Sequence, residues 1–262
     1  MSIAERLVNV ANRYPNTPCE ITPGSPLTGL RRRMLEDVDR VAFEVTLVSS
    51  LISSGGHVAD IGGGITLFAP ALSASGFKAL LVDDFRDRWH HDQAEALELH
   101  RAIGVDVLSV DLLSSDFSMP PDTLDVIAAF DVIEHLHHSP KPMLKKLVTA
   151  LRPGGWLIIG VPNCVNLRKR LTVPFGIGKW SPLQQWYDEP LFRGHVREPD
   201  VDDLRYIAND LNLSNVVVKG RNFLGARSRF TWVRLLLPLV DNLLQLRPSL
   251  CSNLYMIGQK AA

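Results

Sequence analysis

Five short, nearly continuous apolar runs, at residues 57–61, 78–82, 105–110, 124–130 and 156–161, are separated by stretches of helical periodicity. Runs of this length without polar alternation are typical of strands buried on both faces, and such strands belong to parallel sheets covered by helices. The clearest intervening helix spans 140–151. Ser139 is placed to cap it, Pro140 takes the first helical position, and Met143, Leu144, Leu147, Val148 and Leu151 form the apolar stripe before Pro153-Gly154-Gly155 stops it. Asp200 caps a second helix through Leu211, with Asp203 in the first turn and Leu204, Ile207 and Leu211 facing inward. Upstream, Val38, Val41, Val45, Val48 and Ile52 recur every three or four residues across 35–53, an amphipathic helix expected to pack on a sheet. In an alternating βα chain the crossovers are right-handed and ligands gather outside the carboxyl ends of the strands. Function is therefore sought in the loops that follow each strand.

The 262 residues, 46% hydrophobic and 21% charged, are enough for a sizeable single core. Lys plus Arg and Asp plus Glu both number 28, so no net field draws the chain towards nucleic acid or an anionic membrane. Cys19, Cys164 and Cys251 lie far apart without a C-x-x-C spacing, which argues against a zinc ribbon or a disulfide scaffold and fits a reducing cytoplasm. The first six residues include Glu5 and hold no apolar run, so they do not read as a secretory leader.

Two stretches leave the alternating pattern. Residues 162–198 are rich in Arg, Lys, Pro, Gly and aromatics and read as an ordered lid or loop excursion. Residues 230–246 are strongly apolar but interrupted by Arg234, Pro238, Asp241 and Asn242, which argues against a membrane span. Flanked by Arg227, Arg229 and Arg247, this segment can pack on the core, build a homodimer, or lie on a membrane surface and hold a lipid-linked substrate.

The strongest local signal is Val58-Ala59-Asp60-Ile61-Gly62-Gly63-Gly64-Ile65-Thr66, a strand entering a triple-glycine turn ahead of an apolar helix over 67–75. Glycine lacks the Cβ that blocks close approach to backbone and tolerates positive φ, while a helix start offers unpaired N–H groups. Such a loop also occurs as a plain tight turn. Leu80-Leu81-Val82-Asp83-Asp84 ends the next strand with carboxylates about 23 residues after Asp60, the spacing at which an acid accepts hydrogen bonds from a ribose diol. Alone, Asp83 and Asp84 are a solvated strand end; with the glycine turn they suit adenosine.

Over roughly residues 55–220 the chain resembles the class I S-adenosylmethionine-dependent methyltransferases. Asp60-Ile61-Gly62-Gly63-Gly64 is similar to their first motif, Val82-Asp83 to the ribose-binding acid, and Val110-Asp111-Leu112 to the strand end flanking the adenine. The segments Leu124-Asp125-Val126-Ile127 and Phe130-Asp131-Val132-Ile133-Glu134-His135-Leu136 resemble the fourth-strand signature, and Leu151-Arg152-Pro153-Gly154-Gly155-Trp156-Leu157 the turn into the fifth strand. The resemblance implies a doubly wound, Rossmann-like α/β fold: a seven-stranded, mostly parallel sheet with helices on both faces and an antiparallel C-terminal strand near 253–257. It implies S-adenosyl-L-methionine as cofactor, with Asp60, Gly62, Gly63 and Gly64 at the methionine moiety, Asp83 and neighbouring Asp84 at the ribose, and Asp111 and Leu112 at the adenine. Phe130 and Asp131 would line the pocket near the sulfonium. Thr66 stands where these enzymes commonly carry a third spaced glycine, and position 67 is leucine, so a dinucleotide G-x-G-x-x-G is not satisfied. A nicotinamide-dependent oxidoreductase is thus a weaker reading, and a non-catalytic cofactor-binding module is a further alternative.

Methyl transfer from a sulfonium needs alignment and exclusion of water more than it needs catalytic side chains. A hydroxyl acceptor must also lose its proton, and histidine is the usual base. His135 and His195 are the catalytic candidates, with His137 and His138 more readily read as capping or solvent-facing. Glu134-His135-Leu136-His137-His138 has the residue types of a metal site, but the ligands crowd one turn and spacing identifies no separate ligand, so no metal is assigned. His195 lies in Phe192-Arg193-Gly194-His195-Val196-Arg197-Glu198, which resembles a stretch before the last helix in many of these enzymes, and it equally suits a structural tie between lid and core. Arg168, Lys169 and Arg170 can bind phosphate or carboxylate, although a solvated charge run is the commoner explanation. The organisation expected is an N-terminal helical cap over 1–56 and a methyltransferase domain over 57–262, with insertions at 162–198 and 222–252. The charged lid and apolar insert resemble those of bacterial enzymes acting on saccharides or lipid-linked glycan precursors, and a saccharide or other small-molecule hydroxyl is the acceptor expected.

Overall fold

Every strand foreseen from an apolar run is present in the computed structural model, which describes residues 2–16, 18–19, 28–86, 94–177, 181, 183–223 and 241–262. The strands β1 (His57–Ile61), β2 (Lys78–Asp83), β3 (Val105–Ser109), β4 (Leu124–Phe130), β5 (Leu151–Pro162), β6 (Leu213–Arg221) and β7 (Asn253–Lys260) form one sheet in the order β3-β2-β1-β4-β5-β7-β6. β1 runs parallel to both β2 and β4, β2 runs parallel to β3, and β6 is antiparallel to β7. The sheet grows outward from β1 to β3 and then resumes on the other side with β4, so the carboxyl ends of β1 and β4 flank the switch point where doubly wound folds bind their ligands.

By internal contacts the chain divides into two compact units, Met1–Phe130 with Pro142–Trp156, and Asp131–Lys141 with Leu157–Ala262. In the first, α1 (Ile3–Ala11) opens with a reciprocal cap in which Ser2 and Glu5 each accept from the other's backbone N–H. It packs on α3 (Val38–Leu51) and on α4 (Phe68–Ala74), which also pack on each other. The stripe Val38, Val41, Val45 and Val48 is buried as its spacing requires, at about 1.5–3 kcal/mol per fully buried side chain. The helix begins later than the sequence suggests because α2 (Leu30–Glu36) ends first and Asp37 lies between them. Ile52 has already left it in an extended conformation. Its chief packing partners are helices, α1 and α4, because Leu7, Val10 and Ala11 give α1 a buried apolar face of its own.

β1 and β4 are buried almost throughout. Asp125, near the start of β4, ties the strand ends together: its carboxylate accepts from the His57 backbone N–H at 2.8 Å and pairs with Arg152 at 2.8 Å. The Pro153-Gly154-Gly155 stretch, expected as a helix stop and as the turn into the fifth strand, sits inside β5. α6 (Lys141–Ala150) ends one residue before the strand, Gly154 takes φ +77°, and a Cβ at Gly155 would press on the carbonyls of Arg152, Asp125 and Leu124. The glycines thus allow the strand to start early against β4.

On α5 (Ala94–Ala102), His100 is fully buried, with Nδ1 3.1 Å from the Tyr14 hydroxyl and 2.8 Å from the Ala96 carbonyl. Burial pushes its pKa down to about 4 against the raising effect of the Ala96 and Thr66 carbonyls. The unfolded chain binds this proton near pH 6.5 and the folded chain only near 4, so stability is intact above 6.5 and is lost as pH falls between those values. His100→Gln should flatten the dependence of unfolding free energy on pH in that window, with a wild-type-minus-variant difference approaching about 3 kcal/mol in urea titrations. Parallel profiles for the two proteins would refute it.

In the second unit, α9 (Val201–Asp210) carries the expected N-cap: Asp200 accepts from the N–H groups of Asp202 and Asp203, and Asp203 reciprocates. Leu204 and Leu211 are buried and Ile207 is half-buried. The helix packs on β6 and β7. β6, unforeseen from the sequence, is the last strand in the sheet order, and its register against β7 shifts between Ser214 and Val217, where Asn215 adopts φ +49°. The 162–198 stretch contains α7 (Leu167–Thr172) and α8 (Leu183–Tyr187). Of the apolar segment 230–246, residues 230–240 lie outside the described residues. Among the described residues no helix is long and apolar enough to cross a membrane.

Candidate functional site

β1 delivers Asp60 to the glycine turn almost fully buried. Its pKa is raised well above the ordinary carboxylate value, first by burial, then by the negative charges of Glu44 and Asp83, with Arg40 acting against them. Its Oδ2 atom has no hydrogen-bond partner among the described residues. Gly62 and Gly64 take φ +66° and +56°, and a Cβ at Gly63 would overlap the Asp60 carboxylate. The three glycines are required for separate reasons: two for handedness and one for the space its side chain would fill. The result is bare backbone beside a buried acid, which fits the ammonium group at the amino-acid end of adenosylmethionine.

Asp83, at the end of β2, accepts from the backbone N–H of Gly64 at 3.0 Å and of Phe85 at 2.7 Å. It therefore shapes the glycine turn directly, and a carboxylate so used still has lone pairs for a diol. Asp84 accepts from the Arg86 N–H at 2.9 Å, and the Arg86 side chain lies 3.6 Å from Asp111. Asp111 also accepts from the Leu113 N–H, which turns the chain after β3 past the half-buried Leu112. Phe130, at the end of β4, meets Phe68 edge to face at 4.9 Å between centroids. In the first unit Asp60 and Gly62, Gly63 and Gly64 share one turn, Asp83 holds that turn, Arg86 links Asp84 with Asp111, Leu112 follows Asp111 in the chain, and Phe130 packs on Phe68 of the helix after the turn. Sequence reasoning missed Arg40, Glu44 and Arg86. A glutamate beside the apolar stripe of α3 was the one available signal for the first two.

Asp131 begins the second unit with φ +54°, an uncommon backbone conformation for an aspartate, and donates its N–H to the Gly160 carbonyl at 2.9 Å. A single turn of 3-10 helix, Ile133–His135, follows. There the ring of His135 stands edge to face on that of His195, with centroids 4.8 Å apart. Nδ1 of His135 lies 2.9 Å from the Arg193 carbonyl, and Nδ1 of His195 lies 2.8 Å from Glu198. The backbone carbonyl of Glu134 accepts from the N–H groups of Val196 and Arg197, fixing the two stretches to each other. Burial and the adjacent His195 push the pKa of His135 down, against the raising effects of the Arg193 and Gly194 backbone and of Asp131. Burial draws the Glu198 carboxyl up, but the hydrogen bonds from His195 and Lys169 outweigh it and hold the pKa below its usual value. Glu198 is thus an anion that pairs with Lys169 and orients His195.

The other candidates stand apart. His137 meets the Phe192 carbonyl at 2.8 Å and His138 is exposed. Lys169 is committed to Glu198, and Arg170 donates to the carbonyls of Val165 and Ser249, so two members of the 168–170 basic run serve packing; Arg168 is exposed.

This arrangement, a doubly wound sheet with a glycine turn at its switch point and acids on the next two strand ends, defines a nucleoside-cofactor enzyme of the methyltransferase class. The methyltransferase-domain family matches residues 29–218, and the chain belongs to it. It is a class I methyltransferase, a class whose methyl donor is S-adenosyl-L-methionine. No curated protein matches it. Solved structures share the fold. A SAM-dependent methyltransferase from Thermotoga maritima is 16% identical, with TM-score 0.55 over 98% of this chain and 99% of that one. Another, from Archaeoglobus fulgidus, is 14% identical, with TM-score 0.54 over 85% and 94%. The phosphoethanolamine N-methyltransferase 2 of Haemonchus contortus, in complex with S-adenosyl-L-methionine, is 14% identical with TM-score 0.55. That match covers 86% of this chain and 53% of the Haemonchus protein, so the chain spans about half of its length.

Proposed function

We propose that the protein transfers a methyl group from S-adenosyl-L-methionine to a hydroxyl of a saccharide or other small molecule, a lipid-linked glycan precursor being one form such an acceptor could take. The observation that carries the reading is the Gly62–Gly64 turn laid over the buried Asp60. Adenosylmethionine supplies a methyl on a positively charged sulfur, which leaves as a neutral thioether. Asp60 and the glycine backbone would hold its methionine end, Asp83 with Asp84 the ribose, Asp111 and Leu112 the adenine, and Phe130 with Asp131 the sulfonium surroundings. His135 and His195 are assigned to the acceptor, because an oxygen gains a methyl only by giving up a proton and these rings are held oriented by Arg193 and Glu198. The saccharide class rests on the charged and apolar insertions, and a cytoplasmic setting on the cysteine usage. Titration calorimetry provides the test. Adenosylmethionine and adenosylhomocysteine should each bind one per chain while NAD and NADP give no heat; tight dinucleotide binding would replace this reading with an oxidoreductase. Adenosylmethionine binding with no labelled methyl transferred to any fraction of a host-cell extract would favour a non-catalytic module.

A further inference from the structure

Glu134, His135 and His195 each offer a ligand atom, and these atoms all lie within 4.8 Å of one another. The sequence gives no reason to join them, since His195 is far along the chain from the other two. Folding supplies the separate ligand that the crowded 134–138 run lacks.

We propose that Glu134, His135 and His195 form a binding site for one first-row divalent transition ion, and that this ion receives the acceptor's hydroxyl; the second clause rests on the methyltransferase reading above, the first does not. Two further features favour an ion. In a metal-bound histidine the ring nitrogen away from the ion donates to a carbonyl or carboxylate, which fixes the tautomer and strengthens the ligand. Both rings have that partner: Nδ1 of His135 faces the Arg193 carbonyl and Nδ1 of His195 faces Glu198, leaving each Nε2 lone pair for the ion. The ligand-bearing segments are also held together, because the Glu134 carbonyl accepts from Val196 and Arg197. Glu134 is fully buried, and a low-dielectric setting strengthens its attraction for a divalent ion.

Two imidazoles and one carboxylate suit manganese, iron, cobalt or zinc better than magnesium or calcium, and three protein ligands leave coordination positions for an outside oxygen. At ordinary metal–ligand lengths the donor atoms would close to about 3 Å from one another, a movement within reach of side-chain rotation. With both Nε2 atoms on the ion, the histidines would act on the acceptor through the ion and not as bases: a hydroxyl held there would become more acidic and lose its proton to solvent water. The oxygen then forms the new O–CH3 bond as the C–S bond of the sulfonium breaks, its electron pair staying on sulfur and the ion keeping its oxidation state.

Titration of chelator-treated full-length protein with cobalt(II), followed by visible absorption and calorimetry, tests the site without any turnover. One ion per chain is expected. Glu134→Gln and His195→Ala should each weaken it at least about 100-fold, and Glu198→Gln about 10–100-fold through the orientation of His195. The exposed His138→Ala should leave it unchanged, and thermal melts establish that each variant is folded. Absence of saturable binding, or stoichiometric binding that survives both ligand variants, overturns the proposal. Adenosylmethionine affinity measured on the same metal-free protein separates the two readings: nucleoside binding without cobalt binding removes the ion alone, and cobalt binding without nucleoside binding keeps the site while removing its role in methyl transfer.

Discussion

Gly63→Ala is expected to lower the affinity for S-adenosyl-L-methionine at least about 100-fold, or about 2.7 kcal/mol, by calorimetry. The cause is local. A Cβ at this position would overlap the Asp60 carboxylate, and Asp60 is buried at the end of β1 with little room to yield, so the turn itself must move away. Moving it carries Gly64 off the Asp83 carboxylate and distorts the backbone offered to the ligand. Overpacking of this kind should also cost about 1–3 kcal/mol of stability. Truncating the obstacle in Asp60→Ala/Gly63→Ala should recover the melting temperature while leaving affinity low, because the acid is then absent. A Gly63→Ala protein that binds as tightly as wild type would show that the turn is only a connection.

The second large effect belongs to the other unit. His195→Ala should reduce methyl transfer about 10²–10⁴-fold while leaving adenosylmethionine affinity within about threefold of wild type. The separation follows from what His195 touches: the His135 ring and Glu198, both in its own unit. Labelled adenosylmethionine and saccharide fractions of a host-cell extract provide the assay. Equal rates for His195→Ala and wild type would confine the histidine to holding the lid. A parallel collapse of cofactor affinity would mean that the substitution acts through folding.

What the sequence reveals is what repeats locally. The runs at 57–61 and 124–130 coincide with β1 and β4 because strands buried on both faces leave an unbroken apolar record. β6 leaves only the short run Val216-Val217-Val218, and residues 214–217 are exposed, so its membership in the sheet is set by pairing with β7. Likewise, Pro153-Gly154-Gly155 looks like a stop in one dimension, while in three it is the place where β5 needs room beside Asp125. Within the site, the glycines and the strand-end acids are legible because a turn and its strand are contiguous. The charges that set their properties are not. Glu44 raises the pKa of Asp60 from helix α3, Arg86 reaches Asp111 from the loop after β2, and His195 joins Glu134 and His135 from a distant part of the chain. None of these pairings has a period or spacing to betray it.

The irregular register of β6 bears on how the molecule behaves in a crowded solution. An outermost strand with regular pairing presents a row of open amides and carbonyls on which a second copy could extend the ribbon. Here the extra residue near Asn215 twists that row out of step, and Lys219 and Arg221 add charge that an incoming strand would have to bury. These features oppose polymerisation of the sheet along its β6 margin.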